Sequence, residues 1–309
     1  KSVNIQLDSI NQIEKNINDV FARVIKLILN SSGRLIVSGI GKSANIANKL
    51  VATFNSTGQP AVFLHAADAI HGDLGNIQNG DIVMCISKSG NTSELKFLIP
   101  FIKKMGNKII ALSGNINSFL AKESDYVLDV SVSQEACPNN LAPTSSTTAQ
   151  LVMGDAIAIT LLSCKDFSDR DFARFHPGGI LGKKLYLRVS DLLSKESCSH
   201  VCEKSSINEV IFQISKNRLG AVAVIESEKV KGIITDGDLR RMLENEKNFS
   251  DLCAKDIMSS DPKKISFDSL AYDALQIMQT NNINQLVAMD NEIYVGLIHI
   301  HEILKEGIL

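Results

Sequence analysis

The spacing of apolar residues changes along the chain and indicates regions with different secondary structure. From Ile5 to Leu27, apolar residues recur every three or four positions, which predicts one long amphipathic helix that ends at Ser31-Ser32-Gly33. Short unbroken apolar runs then alternate with stretches of helical spacing, the pattern of βαβ units around a parallel sheet. The predicted strands are residues 35–38, 61–64, 82–86, 109–112 and 126–130. This region is therefore predicted to be an α/β domain with a doubly wound parallel sheet flanked by helices.

After about Leu187 the chain contains a pattern that occurs twice. Asp191-Leu-Leu-Ser resembles Asp256-Ile-Met-Ser, and the run around Gly232 resembles the run around Gly296. Two copies of one pattern predict a pair of small α+β domains, whereas a solenoid needs more repeats. The expected domains are therefore residues 1–187, 188–252 and 253–309.

Composition limits the partners of the protein. The 309 residues are 44% hydrophobic, and 32 Lys and Arg nearly balance 34 Asp and Glu. The net charge of -2 leaves no broad basic surface for nucleic acid or an anionic membrane. The six cysteines form no CxxC pair, which indicates reduced thiols in a cytosolic protein. We find no signal segment and no apolar stretch of the roughly 18 residues that a membrane span needs, so a cytoplasmic location is expected.

Residues 81–94 combine a buried strand with a cluster of hydroxyl groups. The first half is the apolar run 82–86, and the second half reads Ser-Lys-Ser-Gly-Asn-Thr-Ser-Glu. Ligands of parallel α/β sheets bind beyond the carboxyl ends of the strands, where the next helix begins. Hydroxyl and backbone N–H groups at that point could surround a phosphate, although Ser, Asn and Gly also fill ordinary turns.

A second polar segment follows the first predicted strand. Gly39-Ile-Gly41-Lys42-Ser43-Ala44 nearly matches a dinucleotide fingerprint, but the acidic residue expected after the second strand is replaced by His65. The segment also lacks the first glycine of a nucleotide P-loop, because that position is Ile36. The absent acid argues against a nucleotide-regulated dehydrogenase, and the absent glycine argues against a nucleotide P-loop. Lys42 is then either a solvated lysine or a cation that faces the ligand.

Histidines and further hydroxyl groups offer other candidate chemistry. His65 and His71 are separated by a short loop, so a metal site would require the chain to fold back on itself, and hydrogen-bonded loop histidines are the alternative. The hydroxyls of residues 144–148 begin an apolar helix, where they either cap the helix or donate to a second anion site. His176 lies in a Pro-Gly-Gly loop that either aims its imidazole or is only a turn.

Together these segments resemble a sugar isomerase (SIS) domain followed by a tandem pair of cystathionine-β-synthase (CBS) domains, and more narrowly they resemble D-arabinose 5-phosphate isomerases. The resemblance covers nearly the whole chain. The motifs that carry it are Gly41-Lys42-Ser43, His71-Gly-Asp-Leu-Gly75, Ser87 to Glu94, Glu135-Ala-Cys-Pro138, Leu141 to Thr148 and His176-Pro-Gly-Gly179. This family interconverts D-ribulose 5-phosphate and D-arabinose 5-phosphate and so supplies the octulosonate sugar (Kdo) of lipopolysaccharide.

The resemblance implies a set of site residues. The matching catalytic positions are Lys42, Glu94, Glu135 and His176. The implied substrate-binding positions are Ser43, Gly58, Gln59, His65, His71, Ser87, Ser89, Gly90, Asn91, Thr92 and Ser93. No cofactor is required in this family, although zinc can bind at His65 and inhibit, and the expected assembly is a homotetramer. Lys88 departs from the family pattern, because many relatives have Asn there, and it is expected to strengthen binding of the phosphate.

The expected reaction also defines the roles of these residues. Proton transfer between C1 and C2 through an enediol needs a carboxylate base, a group that opens the sugar ring, and a cation or donors for the developing oxyanion. We assign these roles to Glu135, His176 and Lys42, in that order. Glu94 is either a second catalytic carboxylate or the partner of Asn91 in a capping box.

The resemblance leaves other functions open. Thr235 and Asp238 match positions that hold the ribose of adenine nucleotides in CBS domains, whereas the second copy has His299 and Glu302. A nucleotide or nucleotide-sugar effector is one expectation for the pair, and packing between subunits is the default. The alternative function of the whole chain is a phosphosugar-sensing regulator without turnover, but the sequence shows no basic helix-turn-helix segment.

Overall fold

The computed structural model describes residues 1–194, 196–245 and 249–308, and the chain forms two compact units, Lys1–Phe175 and His176–Leu309. The strands of the first unit are β1 (Leu35–Gly39), β2 (Ala61–His65), β3 (Ile82–Ser87), β4 (Lys108–Ser113) and β5 (Tyr126–Asp129). Its helices are α1 (Ser2–Lys15), α2 (Asp19–Leu29), α3 (Lys42–Ser56), α4 (Ala66–Ala69), α5 (Ser93–Met105), α6 (Phe119–Glu123), α7 (Ser145–Cys164) and α8 (Asp169–Phe175).

The strands of the first unit form one parallel sheet in the order β2-β1-β3-β4-β5. This arrangement confirms the predicted doubly wound α/β fold. The order in which strands are added reverses between β1 and β3, and the carboxyl ends of strands at such a point flank a crevice where ligands bind. The topology therefore places the polar segments after β1 and β3 at the same crevice.

Apolar residues pack on both faces of this sheet. Met84 of β3 belongs to a core shared with α2, α3 and α7, whereas the next residue, Cys85, belongs to a core shared with α5 and α6. Both faces of β3 are covered, which explains its unbroken apolar run. Burial of one large apolar side chain contributes about 1.5–3 kcal/mol, so the end of β3 that carries Ser87 is held firmly.

The amino-terminal segment contains two helices instead of the one long helix that apolar spacing predicted. Helix α1 ends at Lys15, and α2 begins at Asp19. The Asn18 side chain accepts a hydrogen bond of 2.8 Å from the backbone N–H of Val20 and so caps α2. The prediction of a single helix is therefore wrong, because the apolar spacing continues through a point where a side-chain cap starts a new helix.

Helix α7 is, among the described residues, the one helix that is long and apolar enough to cross a membrane by length and composition alone. In the fold, Ala149, Met153 and Ile157 of this helix are fully buried in the core beside the sheet. The expectation that no stretch reaches such a length is therefore wrong. Small and hydroxyl-bearing residues join the apolar ones into a single helix of 20 residues, and this helix packs as a core helix of the first unit.

The described residues of the second unit form two sheets with a similar hairpin in each. Its strands are β6 (His200–Val201), β7 (Ala221–Glu226), β8 (Lys229–Thr235), β9 (Ser259–Ser260), β10 (Lys264–Ser266), β11 (Gln285–Asp290) and β12 (Ile293–His299). Its helices are α9 (Ile180–Tyr186), α10 (Val189–Leu192), α11 (Ile207–Asn217), α12 (Asp236–Asn245), α13 (Ala254–Ile257), α14 (Ala271–Asn281) and α15 (Ile300–Lys305). The antiparallel hairpins β7–β8 and β11–β12 shift register at equivalent places, after Val224 and after Ala288. The structure therefore confirms the predicted two-repeat α+β pair.

In the second unit, the short helix just before each repeat in the sequence packs against the other repeat. Val189 of α10 packs with Ile265 of the second repeat, and Ala254 of α13 packs with Val222 of the first. The ranges 188–252 and 253–309 thus mark the repeats in the sequence. The two packed cores differ from these ranges, because α10 packs in the second core and α13 packs in the first. Helix α9 belongs to the second compact unit, and the domain boundary expected at residue 187 stays a prediction.

Candidate active site

A pocket of about 270 Å³ lies beyond the carboxyl ends of β1 and β3, where the strand order reverses. It is lined by Ile40, Lys42, Ser43, Ile86, Ser87, Lys88, Ser89, Thr92, Pro143, Ser146 and Thr147. The structure thus brings the start of α3, the loop after β3 and the start of α7 to one place. Hydroxyl groups and two lysines share a single cavity, which we call the phosphate pocket.

The loop after β3 is held in a fixed conformation. The backbone N–H of Gly90 donates to Ser87 Oγ at 3.0 Å, and the backbone N–H of Phe119 donates to Asn91 Oδ1 at 3.0 Å. Gly90 has a φ of +63°, and a Cβ at this position would overlap Ser118 Oγ, so only glycine fits. The loop is therefore preorganised around the pocket by its own hydrogen bonds.

The start of α5 presents unused hydrogen-bond donors to this pocket. Thr92 is the N-cap residue, yet its buried Oγ1 has no hydrogen-bond partner within the described part of the chain. The first backbone N–H groups of a helix lack intrahelical partners and attract anions. Because Ser87 and Ser89 line the same pocket, this arrangement fits a phosphate group.

Glu94 interacts with Ser93 and not with Asn91. Ser93 Oγ donates to Glu94 Oε2 at 3.0 Å, and the N-cap residue of α5 is Thr92. The predicted capping box of Asn91 and Glu94 is wrong, because the Asn91 side chain instead fixes the loop to the start of α6. Glu94 is partly buried on the first turn of α5, and its catalytic role stays a prediction.

Glu135 is buried against the amino end of α7, where its carboxylate accepts several hydrogen bonds. The residue is 2% exposed. Its Oε2 accepts from the backbone N–H groups of Thr144 and Ser146 at 2.8 and 3.2 Å, and its Oε1 accepts from Ser146 Oγ at 2.5 Å. Burial raises the pKa of Glu135, but hydrogen bonds from Lys88, Ser146 and Thr144 outweigh burial and lower the pKa to about 2. The side chain is therefore a firmly held carboxylate anion.

Lys88 connects the phosphate pocket to Glu135. Its Nζ lies 2.7 Å from Glu135 Oε1, and its side chain is 47% exposed, whereas that of Glu135 is fully buried. The sequence placed Lys88 beside the phosphate, and the residue does line the pocket. Nothing in the sequence indicated the ion pair, because the two residues belong to segments that only the folded sheet brings together.

Lys42 lies between the phosphate pocket and a second cavity. It is the first residue of α3 and follows Gly41, whose φ of +58° turns the chain from β1 into the helix. Lys42 lines the phosphate pocket and also an adjacent cavity of about 510 Å³ that extends to Phe63 and His65. The lysine is therefore placed to contact a ligand that extends from one cavity into the other.

His65 offers only part of a zinc site. Its Nδ1 lies 3.5 Å from Asp68 Oδ2 and has no hydrogen bond within the described residues. Among the described residues, no third His, Cys, Asp or Glu lies with these two in a group that could hold a metal ion. Because zinc in proteins usually has four ligands, His65 and Asp68 fit half of such a site.

Several expected substrate contacts lie away from the pocket. Gly58 and Gln59 precede β2 at the amino end of the sheet, where Lys165 donates to Gln59 Oε1 at 2.8 Å. The pocket lies at the opposite end, so the structure does not bring these two residues to the pocket of the same chain. His71 lies in an exposed turn after α4. His176 begins the second compact unit, and its role in ring opening stays a prediction.

In the second unit, Thr235 and Asp238 bind each other. Thr235 Oγ1 donates to Asp238 Oδ2 at 2.6 Å, and Arg241 and Ser259 donate to Asp238 Oδ1 at 2.5 and 3.2 Å. Burial raises the pKa of Asp238, but the hydrogen bonds from Thr235 and Arg241 outweigh burial and lower the pKa. The oxygens that would hold a ribose are already used at the start of α12, and nucleotide binding there stays a prediction.

Both sequence regions match known domain families. The SIS domain model matches residues 28–160, and the CBS domain model matches residues 189–245 and 254–308. The chain is 44% identical over 299 residues to a probable arabinose 5-phosphate isomerase of Haemophilus influenzae, and the match covers 96% of this chain and 88% of that protein. It is 40% identical over 312 residues to arabinose 5-phosphate isomerase KdsD of Pseudomonas aeruginosa, and this match covers 100% of this chain and 96% of that protein.

A solved structure gives the same relationship for the region that contains the phosphate pocket. An Escherichia coli CFT073 protein in complex with arabinose 5-phosphate matches with 40% sequence identity and a TM-score of 0.54. The match covers 57% of this chain and 93% of that protein. Together with the relatives that match over nearly their full length, this shows that the chain, which joins an SIS domain to a tandem CBS pair, belongs to the family of arabinose 5-phosphate isomerases.

Proposed function

We propose that this protein is an aldose-ketose isomerase that interconverts D-ribulose 5-phosphate and D-arabinose 5-phosphate through an enediol, and that its product supplies Kdo for lipopolysaccharide. The observation that carries this proposal is a pocket that joins the phosphate loop, Lys42 and Lys88, with Lys88 Nζ 2.7 Å from the buried carboxylate of Glu135. These groups supply an anion site, a cation for an oxyanion and, directly behind the lining residues Lys88 and Ser146, a carboxylate. The family relationship supports the same reaction.

The substrate phosphate binds at the start of α5 in this proposal. Ser87, Ser89 and Thr92 offer hydroxyl groups there, beside the first backbone N–H groups of the helix. A hydrogen bond to a charged group contributes about 1.5–3 kcal/mol. Because the loop is already ordered by Gly90 and Asn91, little conformational freedom is lost when the phosphate binds. Anchoring the phosphate leaves the C1–C2 end of the pentose for Lys42 and Glu135.

Glu135 acts as the base. It takes the proton from C2 of open-chain arabinose 5-phosphate, the electrons of that C–H bond form the C1–C2 double bond, and the C1 carbonyl oxygen becomes the enediolate oxygen. Transfer of the O2 hydroxyl proton to O1 and return of the carbon-bound proton to C1 then give the ketone of ribulose 5-phosphate. Lys42 stabilises the enediolate oxygen, and His176 assists ring opening. Glu94 is the alternative base.

The proposed reaction needs no cofactor, because the proton moves between two carbons through one carboxylate. Zinc is proposed to inhibit by binding His65, with Asp68 as a second ligand. Protein treated with a strong chelator should keep its turnover, and micromolar zinc should lower it. Loss of turnover after chelation would instead make the metal a requirement.

We also propose a cytoplasmic homotetramer with an effector site in the CBS pair. Helix α5 exposes Phe97, Phe101 and Met105 along one side, at 50%, 44% and 44%, and an apolar stripe of this kind supports subunit association. Sedimentation equilibrium should give four chain masses, and a monomer mass would contradict the assembly. The match of Thr235 and Asp238 to the ribose-holding positions of CBS domains supports a nucleotide or nucleotide-sugar effector. Calorimetry with adenine nucleotides and nucleotide sugars tests this binding directly.

A coupled assay for ribulose 5-phosphate formed from arabinose 5-phosphate tests the proposed function. The full chain should turn over arabinose 5-phosphate, and arabinose without a phosphate should react far more slowly because it lacks the anchoring group. Binding of arabinose 5-phosphate without turnover would identify the protein as a phosphosugar-sensing regulator instead.

A further inference from the structure

Glu135, as it stands in the structure, is poorly suited to accept a proton. A general base works best when its pKa lies near the working pH, and the pKa of Glu135 is lowered to about 2. Its partners at the start of α7 are backbone N–H and hydroxyl groups of Thr144 and Ser146, which belong to the fold itself. Lys88 is the partner that a ligand can change, because it is partly exposed and lines the phosphate pocket.

Lys88 is placed to reach two different anions. Its backbone lies between Ser87 and Ser89, so a phosphate bound by these serines is beside its own loop. Its side chain is a flexible stem with a rotatable ammonium group, which can change partners without moving the backbone. A phosphate group carries about two negative charges near pH 7, whereas Glu135 carries one. The bound substrate is therefore the stronger competitor for this ammonium group.

We propose that Lys88 is a positioning residue that leaves Glu135 for the phosphate of the bound substrate, so that Glu135 gains proton affinity only when a phosphorylated sugar is in place. This inference rests on the proposed isomerase function. After the exchange, Thr144 and Ser146 still hold the carboxylate by the bonds described above, so the base keeps its position. This exchange of partners also makes the enzyme selective for phosphorylated sugars, because a sugar without a phosphate offers Lys88 no competing anion.

The charges around Glu135 determine the direction of this effect. The loop after β3 contributes Lys88, which contacts the carboxylate, and α7 directs the positive end of its dipole toward the carboxylate. Lys42 lines the same pocket as Lys88. Of the described residues that line the phosphate pocket, none is acidic. A bound phosphate therefore removes one positive neighbour and adds negative charge nearby, and both changes raise the pKa of Glu135.

Kinetics of Lys88 variants give the first test. In Lys88→Gln, the KM for arabinose 5-phosphate should rise about tenfold or more, because a charged contact with the phosphate is lost. The acid limb of the kcat profile should stay at its wild-type pH, because Lys88 has already left Glu135 in the wild-type complex. Lys88→Arg should restore much of the KM. Lys96→Gln, which removes an exposed lysine of α5, should change neither quantity.

The opposite pattern would overturn the exchange. If Lys88 stayed on Glu135 throughout turnover, Lys88→Gln would move the acid limb of kcat to higher pH and leave the KM unchanged. That result would make Lys88 a fixed partner of Glu135.

A second measurement needs no turnover and uses the wild-type chain. The protein is labelled with ¹³C at the glutamate carboxyl groups, Glu135 is assigned by its loss in Glu135→Gln, and the sample is titrated from pH 7 to pH 4 with and without saturating sulfate. Sulfate stands in for phosphate because it remains a dianion over this range. The Glu135 resonance should titrate within the range only when sulfate is present, and in Lys88→Gln it should do so without sulfate.

The two measurements separate the failures. If the titration of the Glu135 resonance is the same with and without sulfate, the proposed exchange of Lys88 is wrong even when the enzyme is active. The expected sulfate response in a protein that does not turn over arabinose 5-phosphate supports the exchange and overturns the proposed reaction alone.

Discussion

Two buried carboxylates, one in each unit, have nearly the same local surroundings. Glu135 is 2% exposed and Asp238 is 7% exposed. Glu135 binds the first residues of α7, and Asp238 belongs to the first turn of α12 and binds the preceding residue Thr235. Each accepts hydrogen bonds from a backbone N–H and a hydroxyl group, and each pairs with one cation. The ion pair is 2.7 Å long to Lys88 and 2.5 Å long to Arg241. In both cases the hydrogen bonds outweigh burial and lower the pKa.

The two sites differ in the origin of the cation. Arg241 lies one turn after Asp238 on the same helix, so this pair forms within one short segment. Lys88 comes from the loop that lines the phosphate pocket, so a ligand of that loop can change the partner of Glu135. Burial and a lowered pKa therefore do not identify a catalytic carboxylate by themselves. What distinguishes Glu135 from Asp238 is that its cationic partner belongs to a loop that lines a ligand pocket.

Removing each carboxylate should give the largest contrast. Glu135→Gln keeps the size of the side chain and removes the base, and a positioned base typically contributes about a hundredfold to ten-thousandfold to the rate, so kcat should fall by that factor. Asp238→Asn should leave kcat unchanged without an effector, because the partners of Asp238 are Thr235, Arg241 and Ser259, which do not line the phosphate pocket. The coupled assay measures both variants. Equal losses would show that the comparison of the two sites is mistaken.

The phosphate loop should affect binding and leave kcat unchanged. Ser87→Ala combined with Thr92→Val removes two hydroxyl donors from the pocket, and the KM should rise about a hundredfold or more because each of the two lost bonds to a charged group is worth about 1.5–3 kcal/mol. Ser259→Ala removes a hydroxyl donor from Asp238 and is the matched control, with no expected change in KM. An unchanged KM in the double variant would remove this loop from the site.

Acid should destabilise the protein through Glu135. Its pKa is lowered from 4.5 to about 2 in the folded state, so its contribution to stability is complete above about pH 4.5 and is lost as the pH falls from there toward 2. The full contribution is about 3 kcal/mol. Urea unfolding between pH 6 and pH 3 should show this loss in the wild-type chain and a flatter profile in Glu135→Gln. Identical profiles would show that the Lys88–Glu135 pair does not persist in solution.

Removing the second unit's repeats should affect activity least. A fragment of residues 1–187 contains every candidate catalytic residue, so its kcat should match that of the full chain, while its melting temperature should fall if the repeats contribute subunit contacts. Circular dichroism establishes folding before the assay. A folded fragment without turnover would show that the CBS pair completes the active site.

Local patterns predicted most of the fold and only part of the site. The apolar run 82–86 predicted β3 correctly, because a strand covered on both faces needs no polar alternation. Apolar spacing missed the break before α2, because one side chain, Asn18, creates it. The spacing of Asn91 and Glu94 suggested a capping box, but Asn91 has a partner in α6 that only the folded chain provides. The contact of Lys88 with Glu135 likewise joins residues that only the folded chain brings together.

Hydrogen exchange at C2 tests the central claim, that Glu135 is the base, most directly. Arabinose 5-phosphate deuterated at C2 is incubated with Glu135→Gln, and NMR follows the replacement of deuterium by solvent hydrogen while sugar phosphate binding is checked by calorimetry. We predict that binding persists and that the exchange rate falls at least about a hundredfold below the wild-type rate, because a positioned base contributes at least that factor. Exchange at the wild-type rate in this variant would contradict the claim and assign the base to Glu94.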